Sequence, residues 1–141
     1  MLNIVVCFVA RSDEYRWLLE RSRRFYESSL MLMDRGFYDL AAFSLEQCLQ
    51  LYLKGVLLKL GMDYPRTHSI RRLLELFYEL TQRREISELS SRLGVELSLL
   101  EDAYITTRYV PREFPRDVVE RLRTAVDEVL RVVGEVAGGG G

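Results

Sequence analysis

Apolar residues recur every three or four positions along most of the chain, which is the spacing of amphipathic helices. One such stripe runs through residues 13–35 and a second runs through residues 38–60. Gly36 and Gly61 follow these segments, at the place after a helix where glycine adopts the left-handed conformation. Because each segment predicts a helix of about 35 Å and the connection is short, the two should form an antiparallel hairpin.

The rest of the chain keeps the helical period and is divided by proline and glycine. It predicts a third helix over about 68–81, capped by Thr67, and a short helix over about 85–93 that ends at Gly94. A fifth helix over about 98–108 starts at a capping box of Ser98 and Glu101, and a last helix covers about 115–134. The pattern therefore predicts an all-α fold, an up-and-down four-helix bundle with an additional short helix.

The two ends of the chain differ from this pattern. Residues 4–10 are apolar and rich in β-formers, but they are far shorter than the ~20 residues that a membrane span needs, and no basic residue precedes them as in a signal peptide. They are a short strand, an arm ordered on a partner, or residues translated upstream of the true start. We therefore divide the chain into an apolar arm (1–11), one helical domain (12–137) and a flexible glycine tail (138–141).

Composition limits the function classes. The chain has 141 residues, enough for one domain with its own core. Its 20 basic and 21 acidic residues give a net charge of −1, which excludes a general nucleic-acid-binding surface and leaves only a local anion site. Cys7 and Cys48 form no disulfide framework or metal-ligand pair, and His68 is the only histidine. We expect a reduced, cytoplasmic protein without metal or cofactor.

Residues 65–74 contain the first candidate for chemistry. Thr67 is the predicted cap of a helix, and the first-turn amides of a helix bind anions. Arg66 and Arg71 would add charge, and His68 would add a hydrogen bond that protonation can switch. The segment is either a phosphate or nucleotide site, or a helix start at which Thr67 and His68 only fix the preceding loop.

The second candidate is the segment that starts at Tyr104. An arginine between tyrosines can bind a phosphate while a ring stacks on a base, or the tyrosines can lie half inside the core at a helix end. Taken together, the ligand-binding candidates are Arg66, Thr67, His68, Arg71, Tyr104, Thr107, Arg108 and Tyr109.

Three segments in this order resemble the HEPN family, a nucleotide-binding domain of higher eukaryotes and prokaryotes. They are the helix from Ala41 to Cys48 that leads to Lys54, the Pro65-Arg66-Thr67-His68 segment after Gly61, and the Tyr104-Ile105-Thr106-Thr107-Arg108-Tyr109 segment. The resemblance covers residues 13–133. It implies a helical bundle that commonly forms a homodimer and frequently partners a minimal nucleotidyltransferase. Many members are ribonucleases of toxin–antitoxin or defence systems.

The chain departs from the ribonuclease pattern of the family, in which a histidine follows an arginine after four to six residues. No histidine follows Arg108 or Arg112. Because metal-free RNA cleavage of that kind needs the histidine as acid or base, we expect no catalytic residues. Gln50 and Leu51 stand where relatives often have an acid and a lysine, which makes the second helix more apolar, as a dimer face would be.

These observations predict a non-catalytic HEPN-type domain that binds a nucleotide or polyphosphate or docks a minimal nucleotidyltransferase. The alternatives are a divergent ribonuclease of a toxin–antitoxin or defence system and a purely structural dimeric interaction protein. A homodimer is expected because Leu32, Leu51 and Leu58 lie off the main apolar stripes, and an exposed apolar patch usually meets a partner.

Overall fold

Helices make up all the regular structure in the residues that a computed structural model of the chain describes, 11–110 and 113–139. In chain order they are α1 (Arg11–Asp34), α2 (Tyr38–Lys59), α3 (Ile70–Thr81), α4 (Arg84–Arg92), α5 (Gly94–Tyr109) and α6 (Arg116–Gly139). The prediction of an all-α fold is confirmed, and the described ranges hold six helices, one for each of the six predicted segments, whereas the predicted bundle counted five. Residue 11 of the predicted apolar arm begins α1, and the rest of that arm lies outside the described residues.

The first two helices form an antiparallel hairpin whose turn lies at Gly36. Its φ of 78° is in the left-handed region that favours glycine. Midway along the pair, the Ser22 hydroxyl donates to the Cys48 carbonyl oxygen over 2.6 Å. About two turns further along α2, Gly55 lets the helices approach closely, because a Cβ atom there would lie 3.0 Å from Leu19 Cδ2.

α2 is the central helix of the fold and packs against α1, α3, α5 and α6. Residues on every side of it are therefore buried, and the polar ones among them are Ser44, Glu46 and Gln50. The surrounding core is built mainly from aliphatic side chains, together with Phe77 and Phe114. No helix in residues 11–110 and 113–139 is long and apolar enough to cross a membrane.

Of the three leucines on which a homodimer was predicted, two are accounted for by the packing within this chain. Leu58 is only 3% exposed, and Leu32 and Leu51 are partly buried. Leu58 lies off the main stripe because α2 has neighbours on several sides, and Leu32 packs against the core of this chain. The homodimer itself stays a prediction.

Two glycines lie elsewhere in the helices than predicted. Gly94 begins α5 and does not end the short helix, whose last residue is Arg92. The last helix continues through Gly134 to Gly139, so the first part of the predicted glycine tail is helical. Gly134 serves packing, because a Cβ atom there would lie 3.0 Å from the Tyr52 hydroxyl.

Candidate functional site

The start of α3 differs from the prediction in its capping residue. Ser69, with extended backbone, is the N-cap, and its hydroxyl accepts from the amide of Arg72 over 3.2 Å. Thr67 lies too early for this role, because the helix begins at Ile70. Its hydroxyl oxygen accepts instead from the amide of Ser69 over 3.1 Å. Thr67 therefore shapes the loop that leads into the helix.

An acid of the same chain lies where a ligand phosphate was expected. Glu101 Oε1 accepts from the amide of Arg71 over 3.1 Å and from the Ser69 hydroxyl over 3.2 Å. The predicted capping box at Ser98 is consequently wrong, because Ser98 lies inside α5 and Glu101 caps α3 across the helix interface. A carboxylate is favourable at this position, since it faces the positive end of the helix dipole.

The arginines of this segment have different partners. Arg71 is engaged inside the chain, because its Nη2 donates to the Gly94 carbonyl oxygen and to the Ser98 hydroxyl. Arg72 pairs with Glu75 over 3.1 Å. Arg66 is exposed, and within the described ranges it has no ion pair. Of the two arginines proposed from the sequence for this end of the site, only Arg66 is therefore open to a ligand.

His68 and two residues of α5 lie together in a stack, and Tyr109 lies beside it. The His68 ring packs on the Tyr104 ring with their centroids 4.5 Å apart. The Arg108 guanidinium lies 4.2 Å from the Tyr104 centroid and 5.0 Å from the Tyr109 centroid, and its Nε donates to the Tyr104 carbonyl oxygen. We call His68, Tyr104 and Arg108 the His68 stack. The structure thus brings together two candidate segments that are far apart in the sequence.

Three polar residues of α2, one turn apart, lie under this stack. Glu46 is fully buried and accepts from Gln50 Nε2 over 2.9 Å. Gln50 Oε1 then lies 3.0 Å from Lys54 Nζ and 3.2 Å from His68 Nδ1. Lys54 Nζ also lies over the Tyr64 ring. We call Glu46, Gln50 and Lys54 the polar row; it connects the middle of the core with the edge of the histidine ring.

The buried part of the polar row has a strongly shifted acid. Burial raises the pKa of Glu46 to about 7, because the carboxylate loses its hydration and the nearby charge of Glu101 disfavours ionisation further. Hydrogen bonds from its two glutamine neighbours and the charge of Lys54 act in the opposite direction. Burial also lowers the pKa of Lys54. Glu46 can therefore change its charge near neutral pH.

The end of α5 holds the remaining candidates. The Thr107 hydroxyl lies 3.4 Å from the Asp39 carbonyl oxygen and contacts the first turn of α2, so its role is structural. Tyr109 is 71% exposed. Tyr104 is half-buried and already stacked, so of the two tyrosines Tyr109 has the more exposed ring, with Arg108 near its centroid.

Reasoning from the sequence missed Glu46, Lys54 and Glu101 as members of this region. The first two had a signal, because Glu46, Gln50 and Lys54 recur every four residues on an otherwise apolar helix. Glu101 had none, since its partners Ser69 and Arg71 are far away in the chain. Within residues 11–110 and 113–139, no three His, Cys, Asp or Glu side chains group so that they could hold a metal ion.

Comparison with known protein families gave a match over most of the chain. The family model described as HEPN domain matches residues 15–136, which is most of the chain. Among curated proteins, no sequence matches significantly.

Proposed function

The chain belongs to the HEPN family, and we propose that it acts there as a non-catalytic module that binds a phosphate group of a nucleotide or polyphosphate beside the His68 stack. One observation carries this proposal. Arg66 lies two residues before the exposed histidine, Lys54 donates to the same Gln50 oxygen, and Arg108 lies against the tyrosine on which the histidine stacks. None of these three cations pairs with a carboxylate within the described residues. Cations without such partners are free to take a ligand anion.

The proposed site is smaller than the one suggested by the candidate residues. Glu101 occupies the Arg71 amide and Ser69 the Arg72 amide at the α3 start, and the side chains of Thr67 and Arg71 bond within the chain. The phosphate would therefore be held by side chains, and Tyr109, with its more exposed ring, would stack a base. A few charge-assisted hydrogen bonds on an exposed surface support dissociation constants from roughly micromolar to millimolar.

Removal of the two exposed arginines tests the site. The double change Arg66→Ala with Arg108→Ala is expected to weaken ATP and inorganic triphosphate binding by at least about tenfold, because each lost charge-assisted hydrogen bond contributes roughly 1.5–3 kcal/mol. Isothermal titration calorimetry measures the effect, and circular dichroism checks the fold. The matched control is Arg24→Ala with Arg131→Ala, which removes the same charge from the outer faces of α1 and α6. Equal losses in both variants would show general charge attraction and no site.

The non-catalytic part of the proposal predicts that the purified protein does not cleave RNA. His68 and Arg108 do contact the same tyrosine, but the spacing that the resemblance ties to ribonuclease activity is missing. The measurement is incubation of the protein with labelled single-stranded RNA, in parallel with Arg108→Ala and His68→Ala variants. Cleavage by the parent protein that disappears in both variants would replace this proposal with the divergent ribonuclease.

Exposed apolar side chains favour partner docking as a second function. Phe37 and Leu40, at the start of α2, are 51% and 43% exposed, and Ile105 near the end of α5 is 54% exposed. The contact of Thr107 with Asp39 holds these two helix ends side by side. We propose that this surface docks a minimal nucleotidyltransferase or a second copy of the chain, since exposed apolar patches usually meet partners.

Light scattering separates these two occupants. A homodimer has twice the 16.5 kDa mass of the chain, and the double change Phe37→Ser with Ile105→Ser is expected to return it to the monomer mass. A monomer at micromolar concentration rejects the homodimer. Copurification with a coexpressed nucleotidyltransferase, lost in the same variant, would then support the heterologous partner.

A further inference from the structure

The amide group of Gln50 is held from both sides by groups with opposite hydrogen-bonding character. An ionised Glu46 carboxylate only accepts hydrogen bonds, and it faces Gln50 Nε2. The Lys54 ammonium only donates, and it faces Gln50 Oε1. A flipped amide would place oxygen against the carboxylate and hydrogens against the ammonium. The Lys54 ammonium therefore fixes the orientation of Gln50 by itself, and Glu46 reinforces it where the carboxylate is ionised.

The orientation of Gln50 determines which ring nitrogen of His68 carries the proton. Gln50 Oε1 has no proton to give, so the His68 Nδ1 atom 3.2 Å away has to carry one and donate it. In the neutral ring the other nitrogen, Nε2, is then unprotonated. The two nitrogens of imidazole point in widely different directions. Because Nδ1 faces the buried Gln50 and the residue as a whole is exposed, Nε2 faces away from the core.

We propose that Gln50, oriented by Glu46 and Lys54, is a positioning residue that holds neutral His68 as the Nδ1–H tautomer and so presents Nε2 as a hydrogen-bond acceptor at the ligand surface. The assignment of the tautomer is independent of the proposed function, and only the identity of the ligand rests on it. The arginines would bind the phosphate oxygens, while neutral His68 would accept a hydrogen bond from a ligand hydroxyl or amino group.

The groups around His68 agree with this assignment. Tyr104 covers a face of the ring and Arg108 lies against the same tyrosine. Lys54 shares the Gln50 oxygen with the histidine. Within the described residues, Gln50 is the only hydrogen-bond partner of the ring. The tautomer is therefore set by the polar row alone.

The single histidine makes the assignment directly measurable. A long-range ¹H–¹⁵N correlation spectrum of the free, full-length protein contains one imidazole, and the ¹⁵N shifts of a neutral ring distinguish the protonated nitrogen from the bare one. At a pH where these shifts show a neutral ring, we expect the signature of the Nδ1–H tautomer. An Nε2–H signature in the unmodified protein overturns the proposal without any variant.

Variants of the polar row test whether Gln50 sets the tautomer of His68. Gln50→Leu removes the acceptor and is expected to shift the ring to a mixture of tautomers, whereas Gln50→Glu retains an acceptor and should keep the Nδ1–H form. Glu46→Gln combined with Lys54→Met releases the amide and should also give a mixture. Retention of the Nδ1–H form in the well-folded Gln50→Leu variant would show that another group sets the tautomer, and it would contradict the proposal.

A second readout separates this inference from the phosphate site. In the unmodified protein, ATP is expected to move the Nε2 resonance more than the Nδ1 resonance. If the free protein shows the Nδ1–H tautomer but ATP moves neither nitrogen, the proposed phosphate site fails while the role of Gln50 stands. A shift confined to Nδ1 would show that the wrong edge of the ring had been assigned to the ligand.

Discussion

Replacing Glu46 by glutamine is expected to stabilise the protein by about 2 kcal/mol above neutral pH. The pKa of this buried acid is raised from 4.5 to about 7, a difference that corresponds to roughly 3 kcal/mol. Glutamine removes the cost of a buried charge while it keeps an oxygen that accepts from Gln50. Part of the gain is lost because its amide group replaces one acceptor, which leaves a net gain of about 2 kcal/mol.

The sign of the pH dependence follows from the direction of the shift. The folded protein holds the proton of Glu46 more tightly than the unfolded chain, so the parent protein loses stability as the pH rises from 4.5 to about 7. The variant lacks this loss. The difference in free energy of unfolding between the two should therefore be small at acid pH, grow across this window and stay constant above it. Urea denaturation at a series of pH values measures it.

Glu96 supplies the matched control for the Glu46 prediction. It is also buried, at 6% exposure, but its carboxylate pairs with Arg121 over 3.1 Å. Glu96→Gln loses this ion pair and is expected to lower the stability. If Glu46→Gln also lowers the stability at every pH, the Glu46 carboxylate contributes more through its hydrogen bonds than its burial costs.

Helical periodicity was sufficient for the fold class and for most helix positions. An amphipathic stripe records which face of a helix is buried, so α1 and α2 could be placed to within a few residues. The same reasoning failed for Leu58, because an apolar residue off the stripe looks identical whether it faces a partner or a third helix of the same chain. Periodicity indicates that a side chain is buried, but it does not indicate whether a partner or another helix of the same chain buries it.

The residues of the candidate site could likewise be predicted only in part. His68, Tyr104 and Arg108 could be selected because His68 is the only histidine, at a predicted helix start, and Arg108 lies between two tyrosines. The use of the α3 amides could not be foreseen, because the occupant, Glu101, lies on another helix. Local propensity made Thr67 a plausible cap. The helix begins two residues later than predicted, which gives that role to Ser69, and sequence patterns do not fix helix ends to this precision.

Glu101→Ala is expected to destabilise the protein by about 2 kcal/mol, because the change removes the acceptor for the Ser69 hydroxyl and the Arg71 amide at the α3 start. Glu101→Gln keeps an acceptor without the charge and should cost about half as much. Thermal or urea denaturation of the two variants gives both values.

The vacated α3 start should then accept an anion from solution. In Glu101→Ala, the freed amide of Arg71 and the helix dipole favour a phosphate ion where the carboxylate was, so millimolar inorganic phosphate is expected to restore about 1 kcal/mol. Sulfate at equal ionic strength should act similarly and chloride should not, which separates a local site from general salt screening. The unmodified protein should show no such gain from this position, because Glu101 already fills it. Equal stabilisation of both proteins by phosphate would mean that the ion binds elsewhere, and the Arg66 and Arg108 variant would then be the next protein to titrate.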